Sequence, residues 1–145
     1  MTDPTHTKPD AKTRAICALV ALAFLAPLVV AAFLPPDPAG HGTHRALGLS
    51  QCSWAAAFDA PCATCGMTTA FSEATHGHLW RSFVVQPFGA VLAILACCGF
   101  WVCAYSAAAG SRVYRVGRTL VTTRVLTLGL VMLLAAWGYK WATWP

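Results

Sequence analysis

Long apolar stretches without a charged residue dominate this chain of 145 residues. The first stretch, Ala15 to Leu34, has 20 residues, and a helix of that length rises about 30 Å, which matches the hydrocarbon core of a bilayer. The second, Ser82 to Ser111, has 30 residues, enough to cross a bilayer with tilt. Only 10% of all residues are charged, against about 25% in soluble domains. These stretches predict an integral membrane protein.

The third apolar stretch is shorter. It contains the 15 uncharged residues from Val125 to Tyr139, and the flanking Arg124 and Lys140 lengthen the span by snorkelling toward the headgroups. Aromatic residues of the kind found at headgroup level gather near its end: Trp137, Tyr139, Trp141 and Trp144. We predict that this stretch crosses the membrane, because it lacks the strongly polar face of a surface helix.

The predicted fold is an all-α membrane protein with three transmembrane helices and an extracytoplasmic loop of about 45 residues that contains short helices. A cleaved signal peptide is the alternative for the first stretch, but signal h-regions have only about 7–15 residues. The predicted segments are a disordered cytoplasmic tail (1–14), transmembrane helix 1 (15–34), the extracytoplasmic loop (35–81), transmembrane helix 2 (82–109), a basic cytoplasmic loop (110–123), transmembrane helix 3 (124–141) and the C-terminal end (142–145).

The positions of the basic residues predict the orientation. Seven lie in the N-terminal tail or between the second and third apolar stretches: Lys8, Lys12, Arg14, Arg112, Arg115, Arg118 and Arg124. The other side receives Arg45, Arg81 and Lys140. By the positive-inside rule the N-terminus is cytoplasmic and the long loop is extracytoplasmic, in a multi-pass membrane protein. The net charge of +5 does not predict nucleic-acid binding, since the cations flank apolar stretches and form no single patch.

The extracytoplasmic loop contains a Cys-x-x-Cys pair, Cys62 and Cys65, with Cys52 upstream. Such a pair suits thiol–disulfide redox chemistry in an oxidising compartment. A short helix is expected to begin just after Cys65, where the helix dipole favours a thiolate. However, the sequence contains no thioredoxin-like βαβ pattern.

Two further hypotheses use the same thiols. His41 and His44 precede them, so a Cys2His2 or Cys3His zinc site is stoichiometrically possible, although the order matches no standard zinc finger. A structural disulfide from Cys52 to Cys62 or Cys65 would pin a loop too small to bury much of a core. No catalytic residues are predicted, because the carboxylates of the loop have no visible partner in the sequence.

A longer pattern surrounds the cysteine pair. The run Cys62 to Ala70 reads Cys-Ala-Thr-Cys-Gly-Met-Thr-Thr-Ala, and His76-Gly77 and Gln86-Pro87 follow. It resembles a bacterial membrane-protein family known only as a domain of unknown function. That family shows Cys-Pro-x-Cys-Gly-x-Thr-Arg-Ala, a short helix ending in Gly, and Asn-Pro opening an apolar helix. Cys52 resembles its upstream cysteine, and the resemblance covers about residues 41–100.

The chain departs from this pattern at three positions. Ala63 stands for Pro, Gln86 for Asn and Thr69 for Arg, so no cation of the family pattern lies beside the thiols. The resemblance implies a small polytopic membrane protein and implies no reaction.

The function expected from these observations is that of a non-enzymatic membrane component. Its loop, held by a disulfide or a metal ion, would dock another membrane protein or a second copy of the chain. The alternative is a membrane protein that uses Cys62 and Cys65 for thiol–disulfide exchange or for metal handling, with zinc as the candidate ion.

Overall fold

The computed structural model describes residues 9–50, 52–115, 117 and 122–144. Within this part of the chain the regular structure is helical and no strand occurs. The helices are α1 (Ala11–Ala32), α2 (Ser53–Phe58), α3 (Met67–Thr75), α4 (Leu79–Val85), α5 (Pro87–Ala109) and α6 (Thr123–Ala142), with a 3-10 helix at Thr43–Leu47. Among them, α1, α5 and α6 are long and apolar enough to cross a membrane. The predicted all-α membrane protein with three spans and short intervening helices is confirmed.

Helix α1 begins earlier than the apolar stretch does. The Asp10 side chain accepts a hydrogen bond from the backbone N–H of Thr13 at 3.2 Å, which caps the helix N-terminus. Residues 11–14, expected in a disordered tail, are therefore helical, while residues 1–8 of that tail lie outside the described residues. The helix continues through Pro27, as membrane helices permit.

The second apolar stretch divides into two helices at Gln86. The backbone of Gln86 is extended, and its side chain accepts a hydrogen bond from Phe88 N–H at 3.1 Å. Pro87 then occupies the first turn of α5, where its missing N–H costs nothing. The span therefore begins at Pro87, whereas residues 82–85 belong to the short helix α4.

Small side chains line the contact between α1 and α5. The buried residues of these helices are Cys17, Ala21 and Ala31 on α1 and Gly89, Ala90, Ala93, Ala96 and Ser106 on α5. A Cβ at Gly99 would lie 2.8 Å from the Phe24 ring, so the helices approach closely, as small residues allow in membranes. Arg14 donates to the carbonyls of Ala107 at 2.8 Å and Ala108 at 3.2 Å. The two helices are therefore antiparallel, and the long loop lies at the opposite end.

Helix α3 forms the centre of the loop and packs on α1, α4, α5 and the 3-10 helix. Buried hydroxyls join these elements. Ser72 donates to the Leu34 carbonyl, Ser82 donates to the Ala70 carbonyl at 2.7 Å, and the Thr43 and Thr69 hydroxyls bond at 2.9 Å. Buried polar groups are stable when paired in this way, so this half of the loop is ordered without a covalent cross-link.

The C-terminal end of α6 packs on the loop. The Trp137 indole N–H donates to the Pro61 carbonyl at 2.9 Å, and the Tyr139 hydroxyl donates to the Val84 carbonyl at 2.8 Å. The Lys140 ammonium donates to the carbonyls of Gly40 and Val85, at 3.2 Å each. Elsewhere α6 makes few contacts with α5. The aromatic cluster expected at headgroup level thus also fastens the third span to the loop.

Candidate functional site

A cavity of about 660 Å³ opens in the loop. It lies between the 3-10 helix, α2, the Cys-x-x-Cys turn and the start of α3. The structure brings all five site residues proposed from the sequence to its wall: His41, His44, Cys52, Cys62 and Cys65. Trp144, just beyond α6, also lines it and stacks on His41 with ring centroids 4.8 Å apart.

The Cys-x-x-Cys segment forms a tight turn. Cys65 N–H donates to the Cys62 carbonyl at 3.0 Å, and Met67 N–H donates to the Thr64 carbonyl at 3.1 Å. Gly66 has a φ of +83°, and a Cβ there would lie 2.7 Å from the Gly40 carbonyl oxygen. Only glycine fits both the left-handed backbone and this close approach.

Cys52 lies at the N-terminus of α2 and faces Cys62. Hydrogen bonds from the backbone N–H groups of Ala55 and Trp54 lower the pKa of Cys52, and a hydrogen bond with the Cys62 side chain acts in the same direction. Cys62 Sγ also lies 3.6 Å from the Thr64 hydroxyl oxygen. The side chains of Cys52 and Cys62 therefore interact with each other.

Cys65 has the opposite electrostatic environment. Burial raises the pKa of the Cys65 thiol, the neighbouring Cys62 adds to this effect, and the Lys140 ammonium opposes it. The expectation that the position of Cys65 favours a thiolate is therefore wrong, because desolvation of the charged form outweighs the groups that stabilise it. The thiol that ionises more readily is Cys52.

The pH dependence of alkylation should reveal this difference. In the reduced protein the Cys52 pKa lies below the ordinary thiol value and the Cys65 pKa above it. Since the thiolate is the nucleophile, iodoacetamide at pH 7–8 should modify Cys52 several-fold faster than Cys65. The difference should shrink as the pH rises through both pKa values. Mass spectrometry of quenched time points measures the two rates, and faster modification of Cys65 would contradict the assignment.

The cavity does not assemble a zinc site in this structure. In the described ranges, no group of three or more His, Cys, Asp and Glu side chains is arranged to hold a metal ion. Burial and the nearby Lys140 ammonium lower the pKa of His41, and its ring stacks on Trp144. The predicted histidine and cysteine ligands share one cavity without converging on a point.

The structure contains no disulfide among its described cysteines. All seven are free thiols: Cys17, Cys52, Cys62, Cys65, Cys97, Cys98 and Cys103.

Two buried charged side chains of this part of the structure, neither of which lines the cavity, were not predicted from the sequence. Lys140 is 7% exposed and reaches the loop from the third span. Glu73, which has no visible partner in the sequence, is buried on α3. Its carboxylate lies 3.0 Å from His78 Nδ1 and 4.0 Å from Arg81 Nη1. The turn between α3 and α4 brings these groups together, and helical spacing alone does not reveal such a contact.

Part of this region matches a known protein family. Residues 52–101 match the sequence profile of a family described as protein of unknown function (DUF2752). The matched part runs from Cys52 through the Cys-x-x-Cys turn, α3 and α4 into α5. The expected resemblance to a family of unknown function is confirmed over this part of the chain. Neither the curated proteins nor the solved structures that were compared contain a match.

Proposed function

We propose that this multi-pass membrane protein is a non-enzymatic component whose extracytoplasmic loop is closed by a disulfide between Cys52 and Cys62. The observation that carries the proposal is the side-chain hydrogen bond between these two thiols, while Cys65 is a separate, partly exposed thiol. The closed loop docks another membrane protein or a second copy of the chain. Many apolar side chains of α6, among them Leu126, Leu130 and Leu134, are exposed, which leaves this span available for such an assembly.

Helix α2 is the element that the bond would stabilise. None of its residues is buried, and it packs extensively on no other helix of the described ranges. A disulfide from Cys52 to Cys62 closes a ring of roughly ten residues, which removes unfolded-state entropy worth about 3 kcal/mol. Two thiols are oxidised and lose their protons, while an external disulfide donor is reduced to two thiols. The other loop elements are already joined by the buried hydroxyls of Thr43, Thr69, Ser72 and Ser82.

The expected covalent state can be mapped directly. Protein purified without reductant and trapped with N-ethylmaleimide should yield a Cys52–Cys62 linked peptide and an alkylated Cys65 in mass spectrometry. Cys65→Ser should keep the linked peptide, and Cys52→Ser should abolish it. The Cys52→Ser protein should also unfold more easily, by about 2–4 kcal/mol. Alkylation of all three thiols in the untreated protein would overturn the proposal.

The distribution of charge supports a cytoplasmic N-terminus. The end of the bundle that holds the N-terminus of α1 has a surplus of cations, Lys12, Arg14, Arg112, Arg115 and Arg124 against Asp10. At the loop end the charges balance, with Arg45, Arg81 and Lys140 against Asp37, Asp59 and Glu73. Such asymmetry supports an orientation with the basic end inside and the thiol cavity outside a bacterial inner membrane.

Labelling of intact cells tests this orientation. A membrane-impermeant maleimide, added after mild reduction, should modify Cys52 and Cys62 from outside. A Cys52→Ser/Cys62→Ser/Cys65→Ser variant, which retains the cysteines of the spans, is the matched control and should remain unlabelled. Labelling of the loop thiols only after lysis would reverse the proposed orientation.

Thiol–disulfide exchange is the second candidate function, and the lowering of the Cys52 pKa favours it. A Cys65 thiolate would attack Cys62 Sγ, form a Cys62–Cys65 bond and release Cys52 as a thiolate, with no net change in oxidation state. A thiol of low pKa is the better leaving group. Recovery of a Cys62–Cys65 linked peptide from the untreated protein would favour this function over a static disulfide.

A further inference from the structure

Helix α2 presents two different faces. Cys52, Ser53 and Ala55 line the thiol cavity. Trp54 and Phe58, four residues apart and therefore on one side of the helix, do not line it. Their side chains are 46% and 64% exposed, and their rings contact each other with centroids 4.7 Å apart. The helix thus separates the thiols from an exposed aromatic pair.

The cavity places α2 close to the end of a membrane span. Trp144, two residues beyond the end of α6, lines the same cavity as α2. The Lys140 ammonium, in the last turn of α6, lies 3.5 Å from the position that a Cβ of Gly66 would take. Because a span of this length ends where the hydrocarbon core meets the headgroups, α2 lies at the level of that interface.

The residue types on the aromatic face of α2 are those found at the interface between the hydrocarbon core and the headgroups. The sequence of α2, Ser-Trp-Ala-Ala-Ala-Phe, has no charged side chain. Tryptophan is enriched at the interface between membrane and water, where its amphipathic ring lies at headgroup level. In water this pair would remain exposed, since none of the residues of α2 is buried.

We propose that Trp54 and Phe58 insert into the outer interface of the bilayer, so that α2 is a lipid-seated lid over the thiol cavity. The occupant of its aromatic face is phospholipid at the boundary of headgroups and acyl chains. This contact is continuous with the lipid that surrounds the three spans. It fixes the helix that carries Cys52 opposite Cys62, whichever bond the thiols form.

Fluorine NMR tests the proposal in the full chain. The protein is labelled with 5-fluorotryptophan at its 6 tryptophans and placed in phosphatidylcholine nanodiscs at one copy per disc, and Trp54→Phe assigns the Trp54 resonance. Phosphatidylcholine with a nitroxide near the headgroup should broaden this resonance, whereas a water-soluble gadolinium chelate should leave it sharp. Trp101, 66% exposed on α5 and assigned by Trp101→Phe, is the reference for a lipid-facing tryptophan.

Each other outcome would overturn the proposal. Broadening by gadolinium without broadening by the lipid nitroxide would place the aromatic face in water. A Trp54 resonance that neither agent broadens would mean that protein covers this face. The measurement is made on reduced protein as well as on protein purified without reductant. A failure of Cys52 to pair with Cys62 therefore leaves the lipid test intact, and the two proposals fail separately.

Discussion

Gly66→Ala is expected to destabilise the protein by about 2–4 kcal/mol, because it combines two penalties. Alanine at a φ of +83° adopts a left-handed conformation that costs an L-residue roughly 1–2 kcal/mol. Its Cβ would also lie 2.7 Å from the Gly40 carbonyl oxygen, a backbone atom that cannot rotate away. The turn carrying Cys65 and the segment around Gly40 must therefore move apart, which disturbs the cavity wall.

Gly77→Ala is the matched control for this prediction. Gly77 has a φ of +84°, and a Cβ there would meet nothing within 4 Å. The Gly77→Ala variant should therefore be destabilised only by the left-handed backbone conformation, by about 1–2 kcal/mol. Denaturation in detergent micelles, followed by circular dichroism, measures both changes in the free energy of unfolding. Equal losses in the two variants would show that the close approach between Gly66 and Gly40 is unimportant.

Lys140→Met should release the end of α6 from the loop. The variant removes two charge-assisted hydrogen bonds, to the carbonyls of Gly40 and Val85. Hydrogen bonds to charged groups contribute about 1.5–3 kcal/mol each, and relief from burying the ammonium offsets part of the loss. We expect a net destabilisation of about 2–3 kcal/mol. At pH 7–8 alkylation of Cys65 should also become slower, because the variant removes the ammonium that opposes the rise in the Cys65 pKa.

Two variants separate the role of the charge from that of a hydrogen bond. Lys140→Arg keeps a buried cation with donors and should recover part of the lost stability. Tyr139→Phe removes one neutral hydrogen bond to the Val84 carbonyl and should cost only about 1 kcal/mol. A Lys140→Met protein as stable as the unmodified chain, with unchanged alkylation of Cys65, would show that the lysine does not fasten the third span.

Local patterns in the sequence predict the spans well. An uncharged stretch long enough to cross a bilayer has few alternatives to a membrane helix, so all three spans were predicted. Gln86-Pro87 also marks the start of α5, since proline suits a first helical turn. The sequence also predicts that the site residues lie close together, because His41 through Cys65 all belong to the same loop.

Other properties depend on contacts between distant parts of the chain. Lys140 and Gly40 are 100 residues apart, and a lysine beside an apolar stretch is expected to reach water instead of a loop carbonyl. The relative acidity of Cys52 and Cys65 depends on burial, which neighbouring residues in the sequence do not reveal. The partners of Glu73 require the exact turn between α3 and α4.

The attachment of α6 at one end has a mechanical consequence. Its contacts with the loop are concentrated from Trp137 to Trp144, whereas it makes few contacts with α5. The helix is therefore held at its C-terminal end, beside the cavity, while its other end has few protein contacts. If a thinner or thicker bilayer changes the tilt of α6, the strain falls first on its contacts with Gly40 and Pro61. The contact between α1 and α5 would be affected later. We therefore expect a change in bilayer thickness to alter the geometry of the thiol cavity first.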